Sequence, residues 1–150
     1  MLSGDTMKIG LASDHGGFEY KERIAAFLKK AGHDVKDFGT FSNESCDYPK
    51  FIHPCAKAVA AGEVERGIIL GGSGNGEAIV ANRVRGIRAA VCWDNRSARY
   101  CRQHNDANIV SLGQRMMSIE QALEIVEIFL ATPFDGGRHE KRIRQIDELS

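Results

Sequence analysis

The chain has 150 residues, 43% of them hydrophobic, which suits one globular domain with a real core. Lys plus Arg and Asp plus Glu balance at 20 each, so no global field draws the chain to nucleic acid or to an anionic membrane. No apolar run approaches the roughly 18 residues that span a bilayer. Cys46, Cys55, Cys92 and Cys101 form no CxxC pair and lack zinc-ligand spacing. They read as reduced thiols of a cytoplasmic protein, not as a disulfide framework. Residues 1–6, neither apolar nor signal-like, read as a short disordered N-terminal extension. Residues 7–150 then form a single domain.

Lys8 to Ser13 reads as a first strand, ending at Asp14-His15-Gly16-Gly17. Helical periodicity follows in Phe18, Ile24, Ala25, Phe27 and Leu28, with Gly32 past the end. Asp34 to Phe38 is a short second strand, and a polar loop runs from Gly39 to Asp47. Pro49 starts a helix that reaches about Ala61 and stops at Gly62. Gly67 to Leu70 is the third strand, followed by a glycine loop and a helix from about Gly76 to Arg83. Arg88 to Cys92 makes a fourth strand, Ser97 to His104 a helix, and Asn108 to Leu112 a fifth strand. Ser118 caps a helix whose apolar face carries Ala122, Leu123, Ile125, Val126, Phe129 and Leu130. After Pro133 and Gly136-Gly137, a charged helix runs from about Arg138 to Leu149.

Short apolar strands alternating with helices predict a parallel sheet covered on both faces. Right-handed crossovers make this an α/β fold: a doubly wound, five-stranded, Rossmann-like α/β/α sandwich. Ligands in such sheets sit outside the C-terminal strand ends. That rim collects Asp14 and His15, the glycine loop, Trp93 and Asp94, and Gly113 to Arg115.

The most informative segment is Gly71-Gly72-Ser73-Gly74-Asn75-Gly76-Glu77, with four glycines in six residues. It lacks the Gly-Lys-Ser/Thr of a phosphate-binding P-loop and is no dinucleotide fingerprint. Backbone N–H groups at a helix start can hold an oxyanion, and Glu77 stands beside them to move a proton. A plain strand-to-helix turn with an acid in its first helical turn is the alternative. The helix dipole lowers the pKa of Glu77, so burial must offset it if Glu77 is to act as a base. Asp14 suits a helix cap or a ligand contact equally. His104 fits a C-cap. Arg138 and Arg142, at i and i+4, suit either a solvated face or a phosphate clamp.

Taken together, the ordered segments resemble the type B ribose-5-phosphate isomerases, grouped with bacterial galactose-6-phosphate isomerase subunits. The matching residues are Ser13 to Gly17, Asp47-Tyr48-Pro49, Gly71 to Glu77 and Ala81-Asn82-Arg83. Gly86 to Ala89, Arg102 to Asn105, Gly113-Gln114-Arg115 and Gly136 to His139 follow in the same order. The resemblance implies an aldose–ketose isomerase that interconverts ribose 5-phosphate and ribulose 5-phosphate through a cis-enediolate, with no metal or organic cofactor. It implies a homodimer with shared active sites, sometimes paired into tetramers. By matching position, Glu77 is the base, as in a branch with glycine where this chain has Gly71; another branch places a cysteine base there. Ser73 orients base or substrate, His104 with Asp14 assists ring opening, and Asn105 contacts a sugar hydroxyl. Backbone N–H groups near Gly72, Gly74, Asn75 and Gly76 hold the enediolate oxygen. His15, Arg115, Arg138 and Arg142 bind phosphate. The alternatives are a six-carbon sugar-phosphate isomerase (allose or galactose 6-phosphate) and a non-catalytic sugar-phosphate-binding module.

Overall fold

A computed structural model describes residues 5–149. Of the expected N-terminal extension, residues 1–4 lie outside the described residues, and Asp5 and Thr6 are exposed and outside any helix or strand. Five strands form one parallel sheet: β1 (Lys8–Ser13), β2 (Asp34–Asp37), β3 (Arg66–Gly71), β4 (Ala89–Val91) and β5 (Ile109–Gly113). Six α-helices accompany them: α1 (Phe18–Lys30), α2 (Pro49–Ala60), α3 (Asn75–Asn82), α4 (Asn95–Gln103), α5 (Ile119–Ala131) and α6 (Arg138–Asp147). A short 3₁₀ turn, Gln114–Met116, follows β5.

Strand alternation divides the core into two layers. Ile9, Leu11, Ile68, Leu70, Val110 and Leu112 face α1, α4 and α5, and Phe129 on α5 is fully buried among them. Ala12, Ile69 and Ile109 point to the other side, against Ile52, Cys55, Ala56 and Val59 of α2 and Ala81 of α3. Each fully buried Leu, Ile or Phe contributes about 1.5–3 kcal/mol relative to exposure. The long apolar runs of β1, β3 and β5 are thus those of strands buried on both faces.

The spatial order is β2-β1-β3-β5-β4, with all neighbours parallel. From β1 the chain first moves outward to β2 and then returns to place β3 on the other side of β1. Direction therefore reverses between β1 and β3, where α/β sheets open a crevice at their C-terminal ends. The register sets Ser13 beside Leu70 and Gly71 beside Gly113. The loops after β1, β3 and β5 consequently emerge side by side.

Two local devices hold this rim. Ser111, buried on β5, donates its hydroxyl to the Gly74 carbonyl at 2.7 Å. Lys21 of α1 is fully buried and pairs with Asp37 at 2.6 Å and Glu22 at 2.9 Å. Asp37 also accepts the Gly39 N–H at 2.8 Å. The Ser13 N–H donates to the Gly39 carbonyl at 2.7 Å, and the Thr40 N–H donates to the Ser13 carbonyl at 2.8 Å. The buried cation thus braces the end of β1, one residue before Asp14.

Candidate active site

Gly74 ends the loop after β3 with φ +84°, a left-handed conformation that only glycine takes without strain. This turn starts α3 at Asn75 and puts Glu77 in its first helical turn. Glu77 is only 4% exposed. Its carboxyl group folds back over the end of β3. A β-carbon at Gly71 would overlap the carboxyl carbon and both oxygens of Glu77. The missing side chain at Gly71 is therefore the space that the acid occupies. Burial pushes the Glu77 pKa above its ordinary value, the backbone N–H of Glu77 opposes this, and the nearby Asp14 carboxylate adds to the rise. Desolvation outweighs the opposing backbone N–H, so the net direction is upward.

The neighbouring loops close around this acid. Asp14 donates its N–H to the Leu70 carbonyl at 3.3 Å, and its Oδ1 accepts the Gly16 N–H at 2.8 Å. Its carboxylate thus shapes the turn, while Gly17 is the N-cap of α1. His15 Nδ1 accepts the Cys46 N–H at 3.2 Å, which in the neutral ring leaves the proton on Nε2. Arg115 donates its N–H to the Gly72 carbonyl at 3.0 Å, and its guanidinium lies against the Gly72 α-carbon. The Tyr48 ring packs on Gly76, which gives a task to the Asp47-Tyr48-Pro49 segment. A cleft of about 210 Å³ beside the loop is lined by Ser73, Asn75, Trp93, Gly113 and Met116 among others.

Two sequence expectations change here. The Asn75 N–H, expected to point at a ligand oxygen, donates to Ser73 Oγ at 3.2 Å. Asp94, collected on the rim among the polar candidates, caps α4: its Oδ1 accepts the Ser97 N–H at 2.7 Å and Ser97 Oγ accepts the Asp94 N–H at 3.2 Å. These hydrogen bonds hold its carboxyl below the usual range. A short serine-to-aspartate spacing signals the cap, and it also moves the helix start forward to Asn95.

The second group of candidates is elsewhere in the chain. Helix α4 leaves the C-terminal end of β4 and runs back along the sheet, with His104 as its C-cap. The Asn105 carbonyl accepts from Arg88 Nε at 2.9 Å, and Asn108 Oδ1 accepts the Arg88 N–H at 2.8 Å. Arg88 precedes β4 and Asn108 precedes β5, so His104 and Asn105 lie at the N-terminal strand ends. Glu77 lies at the opposite ends, about 13 Å away along β5 at the usual rise per residue. His104 stacks on Tyr100 and on His139, with ring centroids 4.8 Å and 4.6 Å apart. Arg138 and Arg142 are exposed on α6 on either side of His139 in sequence, and burial with His104 and these two charges holds its pKa below the ordinary value. Arg88 also binds Asp147 through Nη1 at 2.7 and 2.8 Å, which docks the far end of α6. One copy thus assembles Asp14, His15, Ser73, Glu77 and Arg115 on one rim, and His104, Asn105, Arg138 and Arg142 on another.

His139, Asp135, Tyr48 and Ser111 were not singled out from the sequence for these positions. His139 and Tyr48 fall inside segments already noted, but nothing in their spacing reveals a ring stack or a loop support. Among the described residues, His104, Asp135 and His139 form a group whose ligand atoms lie within 4.8 Å of one another.

The ribose/galactose isomerase family model matches residues 9–146. The chain is 45% identical over 142 residues to ribose-5-phosphate isomerase B of Escherichia coli, covering 95% of both chains. Among solved structures, the ribose-5-phosphate isomerase B of Clostridium thermocellum superposes with a TM-score of 0.94 at 53% identity, covering 95% of this chain and 97% of that one. A ribose 5-phosphate isomerase of Thermotoga maritima gives 0.94 at 49% identity, over 97% and 100%. In sequence from β1 to α6, and in fold, the chain belongs to the ribose/galactose isomerase family.

Proposed function

We propose that the chain is an aldose–ketose isomerase that interconverts D-ribose 5-phosphate and D-ribulose 5-phosphate, with Glu77 as the base. Family membership and relatives named ribose-5-phosphate isomerase B support the reaction. The observation that carries the residue assignment is the buried Glu77 carboxyl lying in the place of a Gly71 side chain, its pKa raised by desolvation. A proton-transfer base works best when its pKa moves toward the operating pH, and burial moves Glu77 in that direction.

In the proposed mechanism the sugar ring opens first. A proton leaves the anomeric O1 and one is delivered to the ring oxygen, with His104 as the proton carrier and Asp14 beside it. Glu77 then removes the C2 proton, and the electrons form the C1–C2 double bond of a cis-enediolate. Backbone N–H groups of Gly72, Gly74 and Gly76 face the developing charge, and Asn75 joins them if Ser73 Oγ turns to the substrate. Glu77 returns the proton to C1 while the hydroxyl proton moves from O2 to O1, which leaves a C2 ketone. The phosphate is held by His15 and Arg115, with Arg138 and Arg142 as a bidentate pair. Asn105 binds a sugar hydroxyl.

Because the two sets stand at opposite ends of β5 in one copy, the complete site takes His104, Asn105, Arg138 and Arg142 from a second copy. A symmetric homodimer then holds two such sites, in a soluble cytoplasmic enzyme without a resident metal. The test is conversion of ribose 5-phosphate to ribulose 5-phosphate by purified protein, compared with Glu77→Gln. Loss of the base lowers kcat by ~10²–10⁴-fold. Near-normal turnover of Glu77→Gln removes Glu77 from this role, and no turnover of the wild type rejects the reaction.

A further inference from the structure

The stacked histidines carry a second chemistry. We propose that His104, Asp135 and His139 chelate a borderline divalent cation of the zinc class, and that its binding reversibly blocks the isomerase. The binding stands on geometry alone; the block rests on the role proposed above for His104.

Two imidazoles and a carboxylate are a donor set that favours zinc, cobalt, nickel and copper over magnesium or calcium. Their ligand atoms already lie within 4.8 Å of one another. A tetrahedral zinc ion with bonds of about 2.0–2.1 Å places its donors roughly 3.4 Å apart. The gap closes when the exposed Asp135 rotates and one imidazole turns out of the stack, because two nearly parallel rings cannot both aim an in-plane nitrogen lone pair at one ion. The backbone is already arranged for this. The Asp135 N–H donates to the Gln103 carbonyl at 3.1 Å, so the acid is pinned beside the last turn of α4. The His139 N–H donates to the Gly136 carbonyl at 3.1 Å, and its ring lies 4.6 Å from that of His104 at an interplanar angle of 17°.

Charge sets the character of the site. The C-terminal end of α4 and the Asp135 carboxylate favour a cation. Arg138 and Arg142 on the neighbouring turn oppose one. Three protein ligands with an open position and two guanidiniums nearby describe an inhibitor site, not a tightly held structural ion. A bound cation takes the imidazole nitrogen that His104 needs to carry a proton, so ring opening stops until a chelator removes the metal.

The probe is Co(II), whose visible d–d bands report coordination, followed by Zn(II) competition and by isomerase assays with and without EDTA. The protein binds one equivalent per chain at this site, with intense d–d bands and no thiolate charge-transfer band. Asp135→Ala weakens binding at least about tenfold, as a lost ligand costs no less than a lost outer partner. His139→Gln does the same. Asp135 has no part in the reaction, so Asp135→Ala keeps wild-type turnover and loses sensitivity to Zn(II). The thiol–imidazole pair of Cys46 and His15, at 3.9 Å, is the competing site. A charge-transfer band that disappears in Cys46→Ser and persists in Asp135→Ala overturns the proposal. So does the absence of d–d bands, or equal zinc inhibition in wild type and Asp135→Ala. Protein that lacks isomerase activity yet binds Co(II) through Asp135 refutes the reaction and leaves the metal site standing.

Discussion

Replacing Gly71 by alanine adds one methyl group at the end of β3, where the Glu77 carboxyl group lies. The strand is fixed on both sides, by β1 and β5, so the carboxylate and not the backbone must move. Restoring ordinary contact between the new β-carbon and the carboxyl atoms requires a retreat on the order of 1 Å. A displacement of that size at a reacting group costs about 10²-fold in rate, which corresponds to ~2.7 kcal/mol of barrier. Overpacking destabilises by roughly 1–3 kcal/mol in addition. The phosphate ligands proposed above do not touch Gly71, so KM for ribose 5-phosphate stays near its wild-type value while kcat falls. Steady-state kinetics with thermal unfolding in parallel separates the two effects. A folded Gly71→Ala protein with wild-type kcat refutes the reasoning, because the acid would then not depend on the space at Gly71.

Four further outcomes rest on the same geometry. Glu77 has a folded pKa above the usual 4.5 because burial penalises its charge. Its ionisation therefore destabilises the folded state as pH rises through that window, and Glu77→Gln unfolds at a higher temperature than wild type at pH 7. The difference shrinks below the ordinary carboxylate pKa, and a constant difference from pH 3 to pH 8 contradicts the assignment. The acid limb of kcat/KM likewise lies above the usual carboxylate range, and vanishes in Glu77→Gln. Mixing unfolded Glu77→Gln and His104→Ala chains and refolding them gives hybrid dimers with one intact shared site, which returns about a quarter of wild-type activity; no recovery places both residues in one subunit's site. Lys21→Met removes a buried cation from Asp37 and costs toward the lower end of ~3–5 kcal/mol, since Asp37 is partly exposed and can rehydrate. A thermal shift within 1 °C or so of wild type, against the ~2–4 °C per kcal/mol typical of this size, shows that Lys21 does not brace the rim.

Much of the architecture is legible in local patterns. The apolar runs of β1, β3 and β5, the proline that opens α2 and the serine that caps α5 are each decided by a few adjacent residues, and these elements occur close to where periodicity puts them. Boundaries shift where a side chain acts as a cap: Asp94 and Ser97 start α4 at Asn95, two residues before the periodicity does. The parallel sheet follows from alternation. The place of β5 between β3 and β4 does not, because the choice among neighbours depends on which faces pack.

The sequence marks the glycine loop with its terminal acid, and Arg138 with Arg142, as candidate site segments, because residue type and spacing carry that information. Burial does not show in a list of residues. Only the tertiary structure puts the Glu77 carboxyl over Gly71, where desolvation raises its pKa against the opposing backbone N–H. Only the fold separates Glu77 from His104 by the length of β5, and stacks His104 on a histidine 35 positions later in the chain. Local chemistry is written residue by residue. The proton affinity of an acid and the company of a histidine depend on what distant parts of the chain exclude from water.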